Sequence, residues 1–206
     1  IVLIVDRVIV IVCPHLRRRG HTMTITRSTM RTMRVTGSLA FVAALAVWTM
    51  TAAAAQQWPS FRGAGASGVA AAGSPPVAWD LAGSKNVAWS TPIPGLSHSS
   101  PVVWGDRVFL TTAINMSSKG PDLTSRAVEL EGSTDVDKHQ WKVYRLDRRS
   151  GRVLWEKVLY EGVPRVKRHG RASHASASPA TDGKYVVVSM GSEGLYCLDM
   201  EGTLQW

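Results

Sequence analysis

One stretch of the chain returns, and its return limits the fold more than any other feature. Tyr144-Arg-Leu-Asp-Arg-Arg-Ser-Gly-Arg-Val-Leu-Trp155 reads as strand, tight turn, strand. Tyr196-Cys-Leu-Asp-Met-Glu-Gly-Thr-Leu-Gln-Trp206 repeats it with one residue fewer in the turn. Strand side chains alternate with period two, so Tyr144 and Leu146 share one face, and Val153 and Trp155 are expected to share another. Asp147 caps its own turn, and Gly151 supplies the positive φ that the turn requires.

The segments upstream of the two units also correspond. Ser97-His-Ser-Ser-Pro-Val-Val-Trp-Gly-Asp-Arg-Val-Phe-Leu-Thr-Thr112 reads as a hairpin. Ser173-His-Ala-Ser-Ala-Ser-Pro-Ala-Thr-Asp-Gly-Lys-Tyr-Val-Val-Val188 has the same order of Ser-His, small residues, Pro, an Asp/Gly turn and a β-branched strand. The chain thus carries one four-strand pattern twice. Asn86-Val-Ala-Trp89 leaves the end of a partial earlier copy. Residues of about 114–139, polar and of mixed charge, have no counterpart in the second copy and read as a loop inserted in the first. Four short strands per unit, with a Trp at a fixed place, predict a β-propeller. Each sheet buries its faces only against its neighbours, and a Trp offers a large flat apolar surface to wedge between them.

These units resemble the quinoprotein-like propeller repeat, named for pyrroloquinoline quinone (PQQ) and also called the tryptophan-docking repeat. Its pattern is Asp-x-x-Thr/Ser-Gly, three residues, then Trp. Asp147, Ser150, Gly151 and Trp155 match it. Asp199, Gly202 and Trp206 match with the shorter turn, and Trp89 stands at the same place in the partial copy. The opening Trp58-Pro-Ser-Phe-Arg-Gly and the Ser97–Val103 segment also look like an exported branch of that family. The resemblance implies an all-β chain, an incomplete β-propeller of about two four-stranded antiparallel blades plus a lead-in strand, following a helical signal peptide. A closed propeller has about four to eight blades, so the sequence reads as cut on its C-terminal side.

Charge and processing signals divide the chain. The formal net charge is +9, which invites a nucleic-acid reading. Residues 1–55 hold seven of the Lys and Arg and one acid, so +6 of that charge lies there and +3 over 56–206. The basic balance therefore gives no reason to expect nucleic acid. Residues 1–32 read as an extraneous leader and 33–55 as a signal peptide. Within it, Arg34 precedes an apolar core over Leu39–Trp48, and Ala53-Ala-Ala55 forms a small-residue site. That core is short of the roughly 20 apolar residues that span a bilayer. Cleavage after Ala55 predicts a periplasmic or secreted protein that touches membrane only during export. Residues 56–84 form a leading loop and 85–206 the repeats. Gly63, Gly65 and Gly68 make a formal G-x-G-x-x-G, but no apolar strand precedes it and no helix follows, so a dinucleotide site is not expected. Cys197 is the single cysteine after the signal, and no internal disulfide is expected.

Few residues point to chemistry. His98 and His174 hold the same place in the two copies. They are either a ring of imidazoles near the propeller's funnel or part of the repeat's own hydrogen bonding, and repeat-wide residues favour the second reading. No acid or cysteine sits at ligand spacing beside either, so no metal set is assigned. Arg165, Lys167, Arg168 and Arg171 form a basic run read as a solvated loop, or else as the contact for an anionic or acidic partner. The three repeat tryptophans are read as structural. Relatives of this repeat include alcohol and sugar dehydrogenases that carry PQQ with calcium, and cofactor-free scaffolds of outer-membrane assembly. No residue here matches a quinone-binding or catalytic position. The expected role is binding or scaffolding in the periplasm, toward a protein partner or a small ligand, without a cofactor. A PQQ-dependent dehydrogenase whose catalytic blades lie outside this sequence is the alternative.

Overall fold

The computed structural model describes residues 2–4, 7–11, 57–70, 76–117 and 135–206. The expected signal peptide at 33–55 and the middle of the insert, 118–134, lie outside the described residues. What is described is all β, arranged in antiparallel sheets, with two single-turn 3-10 segments. No helix among the described residues is long and apolar enough to cross a membrane.

The first sheet orders β1 (Val2–Ile4), β2 (Arg7–Ile11) and β3 (Val87–Pro92), so a hairpin from the leader continues the sheet that contains Trp89. The second is a four-stranded meander: β4 (Val102–Trp104), β5 (Arg107–Asn115), β6 (His139–Asp147) and β7 (Val153–Gly162). The third orders β8 (Ala180–Thr181), β9 (Tyr185–Ser189) and β10 (Leu195–Asp199). The chain then turns back along β10: Gln205 N–H donates to Cys197 O at 2.8 Å, and Cys197 N–H to Trp206 O at 2.9 Å. Thr203–Trp206 thereby makes the fourth row of that sheet. The described sheets form a partial propeller-like array, two four-row sheets and the sheet before them.

Between the second and third sheets lies one core. Val102, Phe109, Trp141 and Val143 meet Val186, Val188, Leu198 and Met200, all buried. The opposite face of the second sheet, with Val108, Leu110, Tyr144 and Leu146, packs on Trp89 and Ile93, and Trp58 borders it. The period-two pattern of the sequence thus sends alternate residues to different neighbours. Each Val, Leu or Phe removed from water contributes roughly 1.5–3 kcal/mol.

The Asp147 turn forms as its residues dictate. Asp147 Oδ1 accepts from Ser150 N–H at 2.8 Å, Ser150 Oγ–H at 2.7 Å and Arg149 N–H at 3.1 Å. Gly151 has φ 73°. One expectation changes. Val153 pairs with Leu146 and Trp155 with Arg145, because a bulge interrupts the register there. Adjacent residues of β6 point to opposite faces, so Val153 and Trp155 do not share one. Trp155 turns to Phe109, ring centroids 6.0 Å apart, while Val153 is exposed.

Tryptophans join the sheets at glycines. Trp89 lies on Gly151, where an added Cβ would stand 2.4 Å from the indole. Its Nε1–H donates to Arg148 O at 2.9 Å, and Thr91 Oγ–H donates to Gly151 O at 2.7 Å. Trp155 lies on Gly202 more loosely, at 3.1 Å by the same measure. A third pair was not expected from the repeat motif: Trp104, in the β4–β5 hairpin, covers Gly183 of the β8–β9 turn.

Candidate functional site

At the edge where the second and third sheets meet, two serine-rich segments run side by side. His98 N–H donates to Ser173 Oγ at 3.1 Å, and Ser100 N–H to Ser178 Oγ at 2.8 Å. Ser97 Oγ–H reaches Ala175 O at 3.3 Å, and Thr111 Oγ–H reaches Ala177 O at 3.4 Å. Short hydroxyl side chains recur here because they satisfy backbone groups where no ladder exists. His98 and His174, equivalent in sequence, are not equivalent in surroundings. The His98 ring is exposed, whereas the His174 side chain is 8% exposed.

His174 sits in a cluster that the strand order assembles from three places. Its Nε2 lies 3.0 Å from Asp135 Oδ2, at the end of the insert. His139, the first residue of β6, stands edge-on to it with ring centroids 5.2 Å apart. Trp141 flanks both rings and donates its Nε1–H to His174 O at 3.0 Å. Burial holds the His174 imidazole below its usual pKa, against the opposing pull of Asp135. Asp135, His139 and His174 each offer one ligand atom, all within 4.8 Å of one another. Asp135 and His139 carry no repeat signature and lie 35 to 39 residues from His174, so no sequence spacing links the three.

The basic run divides into two kinds of residue. Arg168, its side chain 4% exposed, donates its Nε–H to Asp135 Oδ2 at 2.9 Å and its Nη1–H groups to the carbonyls of Gly170 and Ala172. Arg165 pairs with the buried Glu193 at 3.4 Å, and its guanidinium lies over Tyr160. Lys167, His169 and Arg171 are exposed, as are Val163 and Val166. The loop is therefore pinned at two points and presents mixed basic and apolar side chains between and beyond them.

On the far face of the third sheet an open groove of about 800 Å³ runs past Pro59, Tyr185, Val187, Cys197 and Trp206. Cys197 is buried, which raises its thiol pKa. Trp206 is 60% exposed.

Residues 120–206 match the family model described as outer membrane protein assembly factor BamB. No curated protein matches the chain. The match covers both Asp–Gly–Trp turns, β6 and β7, and the whole of the third sheet. Residues 120–206 are thus similar to the PQQ-like repeat, in agreement with the two Asp–Gly–Trp units read from the sequence.

Proposed function

We propose that this chain is an exported β-propeller-type module whose work in the periplasm is binding or scaffolding. The observation that carries the reading is the loop 163–171. A loop held by the buried Arg168–Asp135 pair and by the Arg165–Glu193 pair is ordered before any partner arrives. It presents Val163, Val166, Lys167 and Arg171 to solvent. Pre-ordering lowers the entropy cost of association, and mixed apolar and cationic groups suit an acidic protein surface. The family description, a factor in outer-membrane protein assembly, agrees with such a role. The signal-like segment ending at Ala55 supports export.

The test is photo-crosslinking in intact cells from an unnatural residue placed at Val166. A discrete acidic partner is expected, and its yield should fall several-fold in the Lys167→Gln, Arg171→Gln double variant. No adduct, or one unaffected by neutralisation, would sink the reading. Terminal sequencing of the mature protein should begin at Gln56. The competing quinone-dependent dehydrogenase is tested by titrating PQQ with calcium. A bound-quinone spectrum with a raised Tm would replace the scaffold reading.

A further inference from the structure

We propose that Asp135, His139 and His174 form a site for one divalent transition-metal ion of the zinc class, at the junction of the insert, β6 and the third sheet. The ligand types come first. Two imidazoles and one carboxylate are a donor set for zinc or cobalt, whereas calcium and magnesium prefer oxygen ligands alone.

Geometry narrows the case. The three ligand atoms lie within 4.8 Å of one another. They border a cavity of about 20 Å³, together with Asn115 and Arg168. That volume is about one water or one ion. Bonds of about 2.0–2.1 Å place neighbouring ligand atoms of a tetrahedral ion roughly 3.3 Å apart. His174 Nε2 and Asp135 Oδ2, at 3.0 Å, already stand near that spacing. Closing the set needs the widest separation to shorten by up to about 1.5 Å, from within 4.8 Å to that spacing.

The surrounding bonds prepare the ligands. His139 Nδ1 lies 2.9 Å from Asp137 O. A carbonyl oxygen only accepts, so Nδ1 carries the hydrogen and Nε2 keeps its lone pair. A backbone carbonyl on the far nitrogen is a common outer partner of a metal-bound imidazole. Arg168 serves Asp135 in the same way: it fixes the carboxylate through its Nε–H and is itself held by two carbonyls. Without metal, His174 Nε2–H donates to Asp135. On metal binding the neutral ring takes its other tautomer, with the hydrogen on Nδ1, so that the Nε2 lone pair faces the ion. A dication near Arg168 pays a repulsion that only strong imidazole bonds offset, which again favours zinc over calcium.

The measurement is calorimetric titration of the chelator-stripped full chain with Zn²⁺ alone. One ion per chain is expected, and zinc should raise Tm by binding the native state. His139→Gln and His174→Gln should each lower affinity at least about 10-fold, the scale on which even outer-shell changes act. His98→Gln, the exposed repeat counterpart, should leave it unchanged. No saturable uptake, or uptake indifferent to both ligand variants, overturns the site. Should a variant fail to fold, Co²⁺ added to the unaltered protein decides. The intense visible band of tetrahedral cobalt supports the site, and a spectrum of aqueous cobalt alone overturns it.

Discussion

At Gly151 two demands fall on one residue. Its φ of 73° suits glycine, and the Trp89 ring occupies the space a Cβ would need. Gly105 has a similar φ of 58° but open space around it. Gly105→Ala should therefore cost only the left-handed backbone term, about 1–2 kcal/mol. Gly151→Ala adds steric displacement of a buried indole and should cost about 3 kcal/mol or more. Urea unfolding of the two variants measures the difference, and equal losses would show that Trp89 yields freely. The two tryptophans of the repeat also differ in one atom. Trp89 Nε1–H has Arg148 O, whereas the buried Trp155 Nε1 has no acceptor among the described residues. The carbonyl at the corresponding place after Asp199 is that of Met200, and it accepts from Arg145 Nη1 at 2.9 Å. An unsatisfied donor costs nothing to remove. Beyond the area each loses, Trp89→Phe should thus destabilise by about 1 kcal/mol more than Trp155→Phe. The same unfolding series checks it.

The turns are the elements most open to pH. Asp147 is held below the ordinary carboxylate range, first by the Ser150 hydroxyl and then by backbone N–H groups. Asp182 is lowered chiefly by the N–H of Tyr185, and Asp199 chiefly by that of Thr203. A carboxyl with a depressed folded-state pKa binds fewer protons folded than unfolded. Its contribution is fully present above the unfolded value and is lost as pH falls through the lower folded one. The urea midpoint should hold steady down to about pH 4 and then fall on further acidification. Asp147→Asn should start lower and fall less steeply, and a slope unchanged by that substitution would contradict the assignment. These turns were the part of the fold most legible in sequence, because Asp, Ser and Gly act there through local bonds alone. The two faces of β5 and β6 could also be read, since alternation is local. The face of Trp155 could not: a bulge at the end of β6 shifts the register, and no local residue announces it. The Trp104–Gly183 contact and the Asp135–His139–His174 cluster were hidden for a different reason. Their members lie on separate sheets or on the loops that flank them, and only the stacking of the sheets brings them together. The basic run read as uniformly solvated or binding, yet Arg168 is buried, because the acid that holds it comes from an insert outside the repeat.

For the molecule as a whole, the sheets are joined by side chains reaching forward along the chain. The sheet order sets which faces meet, and Trp–Gly contacts lock the turns of each sheet to the one before. The same order leaves the third sheet with one face along an open groove and with Trp206 exposed at its rim. The loop at 163–171 stands apart from that groove, pinned by ion pairs to the insert and to the β9–β10 connection. Binding at the loop and packing at the groove can therefore be altered by separate substitutions. The forward reach also orders events in time. Trp89 leaves the ribosome 62 residues ahead of Gly151, Trp104 leaves 79 ahead of Gly183, and Trp155 leaves 47 ahead of Gly202. At about 5–20 residues per second, each indole waits some seconds for the glycine that will receive it. The nascent chain thus always carries at least one uncovered tryptophan until its last turn is made, a standing invitation to whichever chaperone meets it first.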